Sequence, residues 1–384
     1  MEIYFDNSAT TRCYPEVADL VCRLMLRDFG NPSAMHRKGV EAEAYVKEAA
    51  EKIAAILKAE AREILFTSGG TESDNLAVIG AAAAKKRQGM HLITTAVEHP
   101  AVREPFLFLE KQGFQITYLP VDGRGVVKTE ALLEALRDDT ILVSVMQVNN
   151  ETGAVMPVEE IGRIIKERKP GTLFHVDAIQ AFGKYRIHPK RAGIDLLSVS
   201  SHKIHGPKGA GFLYIREGVR LEPMILGGGQ QRGLRSGTDN VPGIAGMGLA
   251  ADMVYAHLDE NTAHLYELKR QMARGLLEIP EVMVNGMDTE EGAPHILSVT
   301  VNQIRSEVLL HALEDKGVYI SAGSACSSHK RKPSATLLAM GLSTAQIEST
   351  VRISFSEENT GQEVEEALRI LRELVPMLRR YKRH

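Results

Sequence analysis

Apolar positions fall into two alternating rhythms over roughly the first half of the chain. Short apolar runs at residues 64–66, 91–95, 115–118, 141–147, 173–177, 196–200 and 211–215 read as strands. Between them, apolar residues recur at helical spacing over 40–57, 71–86, 100–112, 129–137 and 158–168. Strand and helix in alternation predict an α/β fold with a mostly parallel seven-stranded sheet covered on both faces. After a long helical stretch near 240–275, the runs at 296–301 and 318–321 and the helical patterns at 306–316 and 361–381 predict a smaller α+β unit. The first dozen or so residues are expected to join it. The division expected is a large domain over 15–255 and a small domain made of 1–14 and 256–384.

Ligands of such sheets bind outside the carboxyl ends of the strands. The chemically suggestive residues gather there: 67–75, Glu98 and His99, 149–151, Asp177 to Gln180, and Ser200 to Lys203. Lys203 just past a strand suits a Schiff base with an aldehyde cofactor, which points to pyridoxal phosphate. Asp177 suits the pyridine nitrogen of that cofactor and Gln180 its ring oxygen. The run 67–75 (TSGGTESDN) follows a strand and opens a helix, so the free amides near Gly70 and the Thr71 hydroxyl suit a phosphate. No lysine follows these glycines as in a nucleoside triphosphate loop. His99 can stack on a planar ring or carry a proton, and Asn150 can reach a cofactor or substrate oxygen. The glycine-rich stretch 226–239, with two arginines and Thr238, suits close approach to an anion. Cys326 lies among small residues, ahead of His329, Lys330, Arg331 and Lys332, whose charge favours a thiolate. Arg352, inside a strand pattern, suits a substrate carboxylate.

Composition narrows the partners. A net charge of −3 with 25% charged residues argues against nucleic acid. No run approaches the roughly 20 apolar residues needed to span a bilayer, and the start lacks a signal pattern. A cytoplasmic protein is expected. The cysteines, Cys13, Cys22 and Cys326, suit neither a disulfide framework nor a metal motif, and His202 and His205 lack accompanying ligands, so no metal is expected.

Together these motifs resemble the cysteine desulfurases of the class V aminotransferase group over nearly the whole chain. The matching stretches are 4–11 (YFDNSATT), 29–33 (FGNPS) with His36, 67–75, 98–99, 148–153 (VNNETG), 175–180 (HVDAIQ), 201–209 (SHKIHGPKG), 235–238 (RSGT) and 323–326 (GSAC). The resemblance implies pyridoxal 5′-phosphate fold type I, the cofactor bonded to Lys203, ring stacking by His99, and contacts from Asp177, Gln180 and Asn150. It also implies phosphate contacts from Gly70, Thr71, Ser200 and His202, with Thr238 donated by the other subunit of a homodimer, and a substrate carboxylate on Arg352. The spacing from Cys326 to Pro333 resembles the branch with the longer cysteine loop, which serves iron–sulfur assembly or other sulfur-requiring pathways. The implied reaction takes L-cysteine to L-alanine, leaving a persulfide on Cys326 for a sulfur-acceptor protein such as an iron–sulfur scaffold. Arg12 and Cys13 depart from the usual proline and small residue, and Ala34 from a common serine. The chain also ends at His384 without the longer tail by which some members dock the scaffold, which leaves the partner open. A selenocysteine lyase or an aminotransferase on the same scaffold is the first rival. A catalytically silent scaffold protein is the second, against which Lys203, Asp177 and His99 argue.

Overall fold

A computed structural model describes residues 2–322 and 333–380. The seven strands pair in the order Ile64–Thr67, Gly211–Ile215, Leu196–Ser200, Leu173–Asp177, Thr140–Met146, His91–Thr95 and Gln115–Leu119. Every neighbouring pair is parallel except the two made by Gly211–Ile215. The α/β expectation therefore holds. Leu173–Asp177 and Leu196–Ser200 are buried at every position, as strands covered on both faces must be. Side chains alternate between two cores: Phe66, Val143, Phe174 and Leu197 turn to one, and Leu65, Leu142, Leu173 and Leu196 to the other. Each such leucine or phenylalanine stabilises the fold by about 1.5–3 kcal/mol through burial.

Helix termini follow local chemistry. Pro15 and Pro100 open helices Pro15–Leu26 and Pro100–Lys111, where a missing N–H costs nothing. Arg37–Leu57 packs against Val241–Ala256, whose small residues allow close approach: a Cβ on Gly248 would lie 2.7 Å from that of Ala49.

A separate core lies between the four-stranded sheet and helices Leu258–Leu277, Ser306–Glu314 and Gly361–Arg380. That sheet runs Ser321–Ala322, Thr350–Ser354, Ile296–Val301, Val282–Asn285. Ile3–Tyr4 pairs with Val318–Tyr319, and Asp6 bridges to Ser354. The single strand expected at 318–321 is thus two, because its halves pair with different partners. The helical stretch expected near 240–275 breaks at His257, whose backbone leaves the helical region. The helix expected over 71–86 contains a π-helical turn at Leu76–Gly80 between Gly70–Asn75 and Ala81–Lys85. No helix among the described residues is long and apolar enough to cross a membrane.

Candidate active site

Lys203 ends a short 3-10 turn, Ser201–Lys203, that continues strand Leu196–Ser200, so the sheet fixes where its side chain starts. Its Nζ donates to the carbonyls of Ser8, at 2.5 Å, and Ala9, at 2.8 Å. Burial, and then the Arg352 guanidinium, push its pKa down to about 8, against the pull of Asp6 and Asp177. Residues Asp6 to Thr11 form the wall opposite. Thr11 donates to the His202 carbonyl through both its N–H, at 2.9 Å, and its hydroxyl, at 3.0 Å, and Thr10 Oγ1 meets His202 Nδ1 at 3.2 Å. Burial, then Lys203 and Lys208, hold His202 near a pKa of about 4. The chemical part of this wall escaped the residue-by-residue reading. Its signal was the polar run after apolar Ile3 and Phe5.

Asp177 closes the next strand. One carboxylate oxygen accepts from Ile179 N–H at 2.9 Å, the one hydrogen bond to this carboxylate among the described residues. Burial raises its pKa to about 6, opposed by that N–H and by Lys203. Beneath it, neutral His175 bridges Ser144 Oγ at 2.8 Å and Ser198 Oγ at 2.9 Å, tying three neighbouring strands together. Asp74 approaches the same imidazole at 3.6 Å, and burial and Asp177 raise its pKa well above the usual range. Glu98, held by Thr95 Oγ1 at 2.6 Å and Met146 N–H at 3.0 Å, is pushed up to about 8 by burial. Glu98 is therefore largely neutral near pH 7 and burial disfavours the charge on Asp74, so Asp177, with the lower value of about 6, is the readiest anion of the group. Gln180 donates from Nε2 to the Ser8 carbonyl at 3.0 Å.

His99 caps helix Pro100–Lys111, its Nδ1 accepting from Ala101 N–H at 3.1 Å. Burial, then Lys203, lower its pKa to about 4, so the neutral ring carries its proton on Nε2. At the start of Gly70–Asn75, Gly69 has φ +151°, which side chains rarely adopt, and a Cβ on Gly70 would fall 2.2 Å from Ile179 Cδ1. Glu72 accepts from Ser68 N–H at 2.9 Å and from Arg235 Nε at 2.8 Å, joining this turn to the glycine-rich stretch. Gly70 is buried and Thr71 exposed, while Ser200 lies beside both glycines. Thr238 is exposed and makes no hydrogen bond among the described residues.

Buried Asn149, not Asn150, holds the 148–153 loop, accepting from the N–H groups of Glu151 at 2.9 Å and Thr152 at 3.0 Å. Asn150 meets Arg352 through its carbonyl, which accepts from Nη1 at 2.8 Å. Arg352 Nη2 reaches Asp6 at 2.8 Å, and its Nε has no partner among the described residues. Cys326 and the basic residues after it lie outside the described residues.

This arrangement fits pyridoxal 5′-phosphate: a lysine amine of depressed pKa, a buried carboxylate with an oxygen to spare, and a glycine turn where a side chain would collide. The model for aminotransferase class V matches residues 3–367. The chain is 45% identical over 377 residues to a cysteine desulfurase IscS of Methanosarcina thermophila, covering 98% of this chain and 93% of that one. A solved NifS-like protein superposes with a TM-score of 0.93 at 39% identity, covering 98% of this chain and all of the other. The structure described as SspA in complex with cysteine gives 0.81 at 34% identity, covering 94% of this chain and all of the other. The seven-stranded sheet, the strand-end lysine and these full-length likenesses place the chain in the class V aminotransferase family, among its cysteine desulfurases.

Proposed function

We propose that this chain takes sulfur from L-cysteine, releases L-alanine, and carries the sulfur as a persulfide on Cys326. Pyridoxal 5′-phosphate, when bound, supplies an aldehyde that condenses with amines and a ring that withdraws electrons from the substrate's α-carbon. Lys203 would hold the cofactor and, as a free amine, would take the substrate's α-proton. An amine with a pKa of about 8 suits both tasks near neutral pH. Asp177 is anionic above about pH 6 and would balance a protonated ring nitrogen. His99, neutral, would stack on the ring. Gly70, Thr71, Ser200 and His202 would hold the phosphate, Gln180 the ring oxygen, and Asn150 would lie between ring and substrate.

Arg352 would exchange its contact with Asp6 for the substrate carboxylate. The Cys326 thiolate would then attack the substrate sulfur: a sulfur–sulfur bond forms, the carbon–sulfur bond breaks, the β-carbon takes up a proton to become the alanine methyl, and Lys203 returns a proton to the α-carbon. The sulfur is oxidised and the carbon reduced, so no outside oxidant is needed.

One observation carries this reading. Ser321, just before the segment that holds Cys326, lies opposite Arg352 in the four-stranded sheet. Cys326 lies four positions after Ala322, a reach of about 14 Å at most from a strand that pairs beside Arg352. Two domains, 15–255 and 1–14 with 256–384, suit the separate cores. Exposure of Thr238 favours a homodimer in which it serves the partner's phosphate site, and Lys330, Arg331 and Lys332 favour an acidic sulfur acceptor such as an iron–sulfur scaffold. A reducing cytoplasm suits a free catalytic thiol.

Cys326→Ser tests the reading. It should bind cofactor with an unchanged visible band yet lose cysteine turnover, and turnover at the original rate would favour a lyase that needs no enzyme thiol.

A further inference from the structure

Gln180 Oε1 faces His295 Nε2 at 3.2 Å, in a contact between residues 115 apart in sequence. His295 is 3% exposed and immediately precedes strand Ile296–Val301 of the four-stranded sheet, while Gln180 follows a strand of the seven-stranded sheet. The hydrogen bonds settle the chemistry of the pair. The Ser8 carbonyl can only accept, so the Gln180 atom 3.0 Å from it is the NH2 group. The amide oxygen must then face His295, and His295 Nε2 must donate. The opposite amide orientation would set two oxygens against each other at Ser8. His295 Nδ1 has no partner among the described residues. Burial, then Lys184, Lys269, Arg352 and Lys203, drive its pKa well below the usual histidine range, so the ring stays neutral with its proton on Nε2.

We propose that His295 is the positioning residue for Gln180, locking the amide so that an N–H, and not the oxygen, faces the cofactor's ring oxygen. An amide NH2 has two hydrogens. Ser8 takes one and the other remains for the ring. The Ser8 carbonyl also accepts from Lys203 Nζ, so one chain of contacts runs from His295 through Gln180 and Ser8 to the reactive amine. This inference rests on the reading of Gln180 given above.

The test is the pH midpoint of the visible absorption band of the cofactor-loaded protein without substrate. Lys203, Asp177, His99, His202, Arg352 and Asp6 are the titratable or charged groups that would face that chromophore, and the variants leave them untouched. A donor on the ring oxygen makes it a weaker base, so losing the donor should raise the midpoint, by about half a unit to one unit. His295→Leu and Gln180→Leu should show this rise, the double variant no more than Gln180→Leu, and His295→Gln, which keeps an N–H at similar reach, should restore the midpoint. If Gln180→Leu moves the midpoint and His295→Leu does not, the positioning role falls while that of Gln180 stands. If neither moves it, the reading of Gln180 itself fails. Should His295→Leu not fold, nitrogen-15 histidine spectra of the unaltered protein decide, with the His295 signal among the 13 histidines assigned by its loss in His295→Gln. A neutral Nε2–H ring between pH 6 and 9 is expected, and an Nδ1–H ring overturns the proposal.

Discussion

Lys203 loses its proton at about pH 8 instead of 10.5 because burial and Arg352 disfavour its charge. The cofactor-free protein should therefore take up pyridoxal phosphate at a rate that rises roughly fivefold from pH 7 to 8 and levels off above pH 9, following the neutral amine. The growth of the visible band measures it. A rate still climbing roughly eightfold between pH 9 and 10 would mean an unshifted lysine. Asp177→Asn should leave cofactor bound but slow exchange of the substrate α-proton by about two orders of magnitude or more, as the ring loses its anionic partner. Unchanged exchange in deuterium oxide would remove Asp177 from that role. Lys203 and Asp177 were legible in the sequence because one closely follows a strand, the other ends one, and each bears a group that the chemistry needs. Asp6 and His295 were not, since Asp6 acquires its meaning from Arg352, 346 residues away, and His295 from Gln180.

At the scale of elements, the site depends on close backbone approach. Gly70→Ala would put a methyl 2.2 Å from Ile179 Cδ1, and cofactor affinity should fall at least tenfold by equilibrium titration, with the fold retained. Gly248→Val acts elsewhere. It crowds helix Val241–Ala256 against Ala49 and should cost about 1–3 kcal/mol in thermal or urea unfolding without changing cofactor stoichiometry. Six strands of the large sheet were readable as buried apolar runs, and the edge strand Gln115–Leu119 as an apolar run of which Leu119 alone is buried. Val282–Asn285 was not, because its edge position leaves Met283 exposed and breaks the pattern. The split of 318–321 was hidden too, since one short run pairs with two sheets and only the three-dimensional partner distinguishes its halves.

At the scale of the whole molecule, the proposed function joins two chains and carries sulfur on Cys326. If Thr238 serves the partner's phosphate site, heterodimers of Lys203→Ala with Thr238→Ala contain one site with both lesions and one with neither. Purified heterodimers should then show about half the activity of the unaltered dimer, whereas two singly damaged sites would show little. The central claim is that sulfur moves from substrate to Cys326, and intact-protein and peptide mass spectrometry after brief incubation with L-cysteine tests it most directly. One added sulfur atom on the peptide containing Cys326, removed by a reducing agent and absent from Lys203→Ala, is the expected result. Alanine formed at the normal rate with no sulfur on Cys326 at any time point would contradict it.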